Sequence, residues 1–180
     1  MQERPAVVVG VDGSAYSRAA LRYAMEEAAR RGTGVQVVSA FLPPQYRPDA
    51  YGLSAPQTPY EIKSDLRFIA RRMVDGVIAD VPALGGVSVE LHELEGKPAD
   101  VLIERARGAD LLVIGHRGRG GAASALLGSV GLQCVLHAEC PVTVIRPKLQ
   151  PAVVREPDAA AKAHDRDRAQ LVDRMVAPIY

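Results

Sequence analysis

A wholly apolar run that ends at a glycine-rich segment constrains the fold of this chain more than any other feature. The run, Leu111 to Ile114, is typical of a buried strand, and Gly115-His116-Arg117-Gly118 follows it directly. Nine residues later comes Gly128-Ser129, and residues 130–137 then have the pattern of a helix that starts on Ser129. A strand, a glycine-rich loop and a helix start, in this order, form an arrangement that binds phosphate.

The backbone of this segment offers what an anion needs. Glycines let the chain turn sharply and approach a ligand, and consecutive N–H groups form a nest for negative charge. The helix start adds unpaired donors and partial positive charge, and Arg117 and Arg119 would add full charges. The spacing excludes a Walker-type P-loop, and no G-x-G-x-x-G follows the first strand. A glycine-rich connection without a ligand is the alternative at this point.

Apolar runs alternate with helical patterns along residues 1–147, which predicts one α/β domain. Strands are predicted at Ala6–Val11, Val35–Phe41, Val87–His92, Asp110–Ile114 and Cys140–Ile145. Helices are predicted at about 15–31, 62–77, 98–106 and 129–137. This alternation predicts a doubly wound, five-stranded parallel sheet with helices on both faces.

Three residues stand at the carboxyl ends of predicted strands. Asp12 follows the first strand, Ala40 lies at the end of the second, and Gly115 follows the fourth. In doubly wound sheets, ligands bind outside these ends, where the strand order reverses. We therefore expect the three positions to meet at one crevice, which favours a ligand site over a connection without one.

Two segments depart from the alternating pattern. Residues 42–61 contain five prolines and three tyrosines and are predicted to form a long loop, either a lid over a ligand or a mobile insertion. Residues 148–180 are predicted to be a C-terminal extension whose composition permits a helix; it would pack on the domain, cross to a second subunit or stay disordered. The predicted third strand alternates apolar and polar residues, which favours a place at a sheet edge.

The composition excludes several classes of function. A formal net charge of +1 gives no electrostatic case for nucleic acid or an acidic membrane surface as the main partner. The first residues lack the pattern of a signal peptide, and no apolar run approaches the ~20 residues of a membrane span. Cys134 and Cys140 form no metal or redox motif and are typical of buried free thiols. We therefore expect a cytoplasmic protein.

Three motifs together resemble the universal stress protein family. They are the first strand Val-Val-Val-Gly-Val-Asp-Gly-Ser, the G-x2-G-x9-G-S spacing and the ending Cys-Pro-Val-Thr-Val-Ile, and the resemblance covers about residues 5–146. It implies a strand order of 3-2-1-4-5, ATP held between strands one and four, and a homodimer formed through strand five, at about 141–146. The loop at 42–61 and the extension depart from the simplest family pattern, which bears on assembly more than on binding.

The resemblance also implies which residues touch the nucleotide. Asp12 matches the acidic residue near the nucleoside, or near a Mg²⁺ ion on the phosphates, and the main chain of Ala40 matches the position that meets adenine. Gly10 would let the nucleotide lie close to strand one. The phosphate-binding positions are matched by Gly115, Gly118, Gly128, Ser129 and Val130, and Arg117 and Arg119 lie beside them.

These observations favour an ATP-binding stress-response protein that acts as a nucleotide-responsive homodimer. Two alternatives stay open: an adaptor that binds another adenine nucleotide, such as cyclic AMP, or nothing, and a slow ATPase. His116 has no carboxylate or nucleophile placed beside it by the sequence, so no catalytic residue is predicted.

Overall fold

The computed structural model describes residues 6–43, 58–118 and 127–146. The elements, in chain order, are β1 (Ala6–Gly10), α1 (Ala15–Arg31), β2 (Gly34–Phe41), α2 (Pro59–Asp80), a 3₁₀ turn (Pro82–Gly86), β3 (Val89–Glu95), α3 (Pro98–Arg105), β4 (Leu111–Gly115), α4 (Ser129–His137) and β5 (Val142–Ile145). The strands form one sheet in the order β3-β2-β1-β4-β5, and every neighbouring pair is parallel. The predicted doubly wound α/β fold and its strand order are therefore confirmed.

The central strands are apolar on both faces because helices cover both. Val7 and Val9 belong to the cluster under α1 and α2, whereas Val8 belongs to the cluster under α3 and α4. All three side chains are at most 1% exposed. This double burial explains why β1 and β4 consist of uninterrupted apolar residues rather than alternating ones.

Local signals fix the turn between β1 and α1 and the two ends of α1. Gly13 has a φ of 82°, a conformation that favours glycine. The Ser14 side chain then caps the helix by accepting a hydrogen bond from the Ser17 N–H. Gly32, at a φ of 65°, ends the helix in the left-handed conformation. Both predicted helix boundaries are confirmed.

The prediction of a loop over residues 42–61 is wrong at its end, because α2 already begins at Pro59. Thr58 and Glu61 form a capping box in which each side chain accepts a hydrogen bond from the backbone N–H of the other residue. Proline at the first helical position strengthens this start, since its missing N–H would have no partner there. The rest of the predicted loop, residues 44–57, lies outside the described residues.

The boundaries of the third strand also differ from the prediction. The strand runs over Val89–Glu95 instead of 87–92 because its register is set by β2, which pairs Val35 with Val89 and Phe41 with Glu95. The 3₁₀ turn uses Val87 as its cap, and the strand therefore starts later. Its predicted place at a sheet edge is confirmed.

At the opposite edge lies β5, which starts two residues later than predicted because Pro141 precedes it. The helix before it, α4, exposes Leu132, Val135 and Leu136 to solvent. None of the described helices is long and apolar enough to cross a membrane. The described residues lie in one compact unit that ends at Arg146, and the predicted extension at 148–180 lies outside them.

Candidate functional site

The turn after β1 brings Asp12 to the carboxyl edge of the sheet. One carboxylate oxygen, Oδ1, accepts a hydrogen bond of 2.9 Å from the Ser14 N–H, so the side chain helps to shape the turn. The other oxygen, Oδ2, lies against the glycine-rich loop: a Cβ built on Gly118 would be 2.8 Å from it. The structure therefore brings together two predicted site residues that are more than a hundred residues apart in the chain.

The end of β4 lies equally close to the first turn of α1. A Cβ built on Gly115 would be 2.9 Å from the carbonyl carbon of Tyr16 and 3.1 Å from its oxygen. Any side chain at this position would collide with main-chain atoms, so glycine is required for close packing of α1 on β4. No local motif in the sequence marks Tyr16, because its contact with β4 depends on this packing.

His116 connects the glycine-rich loop to two other elements through its backbone. Its N–H donates to the Ile145 carbonyl in β5, and its carbonyl accepts from the Gly128 N–H, both at 2.9 Å. The amide of Gly128, a predicted phosphate-binding position, is therefore already engaged within the protein. These bonds fix the point at which the chain enters α4.

The next amides, in the first turn of α4, lack acceptors among the described residues. Gly128 is the N-cap and provides no side-chain hydrogen bond, and the first internal bond of the helix runs from the Leu132 N–H to the Gly128 carbonyl. Within the described part of the chain, no group accepts a hydrogen bond from the amides of Ser129, Val130 and Gly131. A helix start with unused donors and partial positive charge attracts anions.

Ala40 offers main-chain groups at the same edge of the sheet. The carbonyl of Val38 accepts from Val11, on the β1 side, and the carbonyl of Phe41 accepts from Gly96, on the β3 side. Because successive residues of a strand alternate in direction, the N–H and C=O of Ala40 point toward the β1 side, beyond the last bond that β1 makes. Among the described residues, nothing bonds to them.

Packing against α3 explains why residue 10 is a glycine. A Cβ built there would be 2.8 Å from Cδ1 and 3.1 Å from Cδ2 of Leu102, a buried side chain of α3. The absence of a side chain at this position admits Leu102, and a role for Gly10 in nucleotide approach stays a prediction.

The remaining predicted residues differ in how well the structure places them. Arg117 is half-buried and engaged in an interaction, and Ser129 is exposed at the start of α4 beside the half-buried Val130. Arg119 lies outside the described residues. Of the predicted residues that the structure describes, Arg117 is the one that brings a positive side chain, and the helix terminus adds partial positive charge.

His116 itself is nearly buried, with 6% of its surface exposed. Its ring meets the ring of Tyr16 edge to face, with 4.6 Å between the ring centres. Burial lowers the pKa of His116, and the positive charges of Arg117 and Arg146 lower it further. The imidazole is therefore neutral at neutral pH.

A dedicated metal cage is absent from the described residues, in which no group of three or more His, Cys, Asp or Glu side chains could hold an ion. Asp12 contributes one carboxylate at the site. Mg²⁺ is usually bound through one or two carboxylates together with substrate phosphates and water, so this single carboxylate fits an ion that arrives on phosphates.

The fold and the site define a class of protein: a doubly wound α/β domain with a candidate anion site at the carboxyl ends of the adjacent strands β1 and β4, at the start of a helix. The model of the Universal stress protein family matches residues 4–146, and the chain belongs to this family.

Curated relatives differ in how much of their length this chain covers. A universal stress protein of Mycobacterium tuberculosis is 32% identical over 160 residues, which are 85% of this chain and 55% of the relative. A universal stress protein of Thermus aquaticus is 34% identical over 143 residues, which are 78% of this chain and 97% of the relative. The chain thus spans about half the length of the mycobacterial relative and nearly all of the other.

Two similar solved structures contain adenine nucleotides. A universal stress protein in complex with cAMP is 28% identical, with a TM-score of 0.58 over 78% of this chain and 95% of that chain. The Archaeoglobus fulgidus universal stress protein in complex with dAMP is 27% identical, with a TM-score of 0.55 over 79% of this chain and 98% of that chain. cAMP and dAMP are the ligands of those two proteins.

Proposed function

We propose that this chain binds an adenine nucleotide in the crevice between the end of β1 and the start of α4. The observation that carries the proposal is the set of amides in the first turn of α4 that no described residue uses, next to the contact between Gly118 and Asp12. Phosphate oxygens would satisfy these donors without any special side chain. The cAMP and dAMP complexes of two structural neighbours support the same class of ligand.

The main chain of Ala40 suits the base of such a ligand. Adenine presents an amino group that donates a hydrogen bond and ring nitrogens that accept one. A backbone C=O and N–H that lack partners among the described residues can pair with both kinds of group. Because main-chain atoms read the base in this arrangement, no polar side chain is needed at the end of β2.

We propose ATP, with Mg²⁺ on its phosphates, as the ligand, and cyclic AMP as the second candidate. Arg117 and the helix terminus offset phosphate charge, and Asp12 would bind Mg²⁺ on the side of the ligand that faces β1. Cyclic AMP is favoured by the solved complex of a neighbour with that nucleotide. For either ligand the proposed role is binding, and no catalytic step is proposed.

In this proposal the chain acts in a stress response as a homodimer, and nucleotide binding changes the state of that dimer. The edge strand β5 has backbone groups at Val142 and Val144 that point away from β4, because the carbonyls of Pro141 and Ile145 point toward it. A second copy would pair with these groups. Nucleotide would then change the assembly only to the extent that it binds two conformations with different affinity. The cytoplasmic location stays a prediction.

The binding proposal is tested by calorimetry of the full chain with ATP, in the presence and absence of Mg²⁺. Gly118→Ala places a methyl group 2.8 Å from Oδ2 of Asp12, which forces the carboxylate or the loop to move, and we expect at least a tenfold loss of affinity, about 1.4 kcal/mol. Gly86→Ala is the matched control, since a Cβ there meets nothing within 4 Å. Equal affinity of both variants and wild type would refute the placement of the phosphates.

Two further measurements separate the candidates. Displacement of ATP by cyclic AMP compares the two ligands at one site, and absence of binding by both ligands refutes the proposal. Sedimentation of wild type and Val144→Pro tests the dimer, because proline removes an outward N–H of β5 without removing a bond to β4. A dimer that survives this change is not formed by pairing at that N–H.

A further inference from the structure

One residue of the loop, His116, connects four elements near the candidate phosphate site: β4, β5, α4 and α1. It follows β4 directly, its N–H bonds to Ile145 of β5, and its carbonyl holds the amide of Gly128 at the start of α4. Its ring packs edge to face on Tyr16 of α1, at an interplanar angle of 79°. A movement of this one residue would therefore disturb the end of the sheet and the start of α4 together.

The described surroundings of the ring favour its uncharged form. The ring nitrogen Nδ1 is buried and has no hydrogen-bond partner among the described groups. A neutral ring with its proton on Nε2 leaves only a lone pair unpaired at Nδ1, whereas a protonated ring would bury an N–H donor without an acceptor. The latter is the more costly state, because the donor would carry part of a positive charge.

The charged and titratable groups around the ring oppose protonation as well. Arg117 of the loop and Arg146 beyond β5 are positive and lower the pKa of His116 in addition to the larger effect of burial. From α1 the neighbour is the phenol ring of Tyr16, and the first residues of α4, Ser129 and Val130, bring no ionisable side chain. The carboxylate of Asp12, from the turn after β1, lies against Gly118 further along the loop.

We propose that His116 is a positioning residue for the phosphate site, which it holds in place only while its ring is uncharged. The proposal rests on the proposed function, because it assigns a pH dependence to the same nucleotide site. When the ring gains a proton, the cheapest relief is for it to leave its place against Tyr16 and move toward water. The bond between the His116 carbonyl and Gly128, and the last bond between β4 and β5, are then loosened.

The sign of the effect on stability follows from linkage. The pKa of His116 is lowered in the folded chain, so the unfolded chain binds more protons as the pH falls below about 6.5. The contribution of His116 to the free energy of unfolding is therefore complete above this pH and is lost progressively as the pH falls toward the lowered pKa. A nearby positive charge alone would have the opposite effect on the ligand, because it would attract phosphate more strongly in acid.

The test compares ATP affinity near pH 7.5 and near pH 5.5 for wild type, His116→Phe and His137→Gln. Phenylalanine keeps an aromatic ring against Tyr16 but cannot gain a proton, and His137 is an exposed residue at the other end of α4. The phosphates of ATP titrate in this range too, but their effect is common to all three proteins. We expect the affinity of wild type and His137→Gln to fall in acid about fivefold more than that of His116→Phe.

The same proteins are also unfolded by heat at both pH values. We expect the melting temperature of wild type to fall more in acid than that of His116→Phe, and this arm does not depend on any ligand. His116→Gln replaces the phenylalanine variant if the latter does not fold. Equal pH dependence in wild type and the uncharged variant, or a wild-type affinity that rises in acid, overturns the inference. If no protein binds ATP even near pH 7.5, the proposed function fails, and the melting temperatures alone decide whether His116 positions the loop only while neutral.

Discussion

Gly10 and Gly115 both stand at the candidate site, and double-mutant cycles distinguish what each glycine makes room for. A methyl group on Gly10 would press on the tip of the Leu102 side chain, at 2.8 Å, whereas one on Gly115 would press on main-chain atoms of Tyr16, at 2.9 Å. Overpacking of this kind costs about 1–3 kcal/mol. The two positions should therefore respond differently when the neighbouring side chain is shortened.

For the first pair, Leu102→Ala alone should cost about 2–5 kcal/mol, because the side chain is 5% exposed and leaves a cavity. In the double variant with Gly10→Ala, the new methyl group enters the vacated space, and the clash disappears. The double variant should then be more stable than the sum of the single changes predicts by about 1–3 kcal/mol, the full cost of overpacking. The effects of Gly115→Ala and Tyr16→Ala should add within about 0.5 kcal/mol, since alanine keeps the obstructing main chain.

The measurement is urea unfolding of the single and double variants, with unchanged slopes as the check that the same transition is compared. Additive effects at Gly10 and Leu102 would refute the packing explanation for Gly10. Strong coupling at Gly115 and Tyr16 would show that the phenol ring, and not the backbone, requires glycine at the end of β4.

Two further predictions concern groups away from the site. Hydrogen bonds from the backbone and side chain of Thr58 lower the pKa of Glu61. The contribution of Glu61 to the free energy of unfolding is therefore complete above about pH 4.5 and is lost as the pH falls through the lowered pKa. Glu61→Gln should reduce this loss of stability in acid, as unfolding experiments at several pH values can measure. Burial raises the pKa of Cys134 to about 11, and Cys134 is fully buried while Cys140 is partly exposed. A thiol reagent near pH 8 should therefore modify Cys140 first, and mass spectrometry of the labelled peptides measures the order of modification.

The fold was predictable because its signals are local and repeated. Uninterrupted apolar strands, the Ser14 cap and the Gly32 helix end are each readable from a few residues. The start of α2 was readable too, as Thr58 followed by Glu61 three residues later, but the surrounding prolines favoured a loop. The end of β3 could not be predicted from local sequence, because Glu95 is charged and joins the strand only through its register with β2.

The candidate site was predictable to the level of the crevice but not of its contacts. Topology alone brings the ends of β1, β2 and β4 together. That Gly118 touches the carboxylate of Asp12, that the Gly128 amide is used by His116, and that Gly10 admits Leu102 depend on side-chain packing across distant elements. Such contacts have no periodic or spacing signal in the sequence.

The charge at Asp12 should decide between the candidate ligands. ATP carries several negative charges and cyclic AMP a single one, so repulsion by a carboxylate, about 1 kcal/mol for each pair of unit charges in contact in water, penalises ATP more strongly. Mg²⁺ on the phosphates reverses this balance, because the carboxylate then binds the ion. Asp12→Asn keeps an oxygen for the Ser14 N–H and removes only the charge.

We therefore expect Asp12→Asn to bind ATP more tightly than wild type when Mg²⁺ is chelated and less tightly when Mg²⁺ is present, whereas its affinity for cyclic AMP changes little. Calorimetry under the two conditions measures the difference directly. If the variant responds to Mg²⁺ as wild type does, the carboxylate does not face the ion. Its bond to Ser14 and its contact with the loop at Gly118 would then account for Asp12 without any ligand.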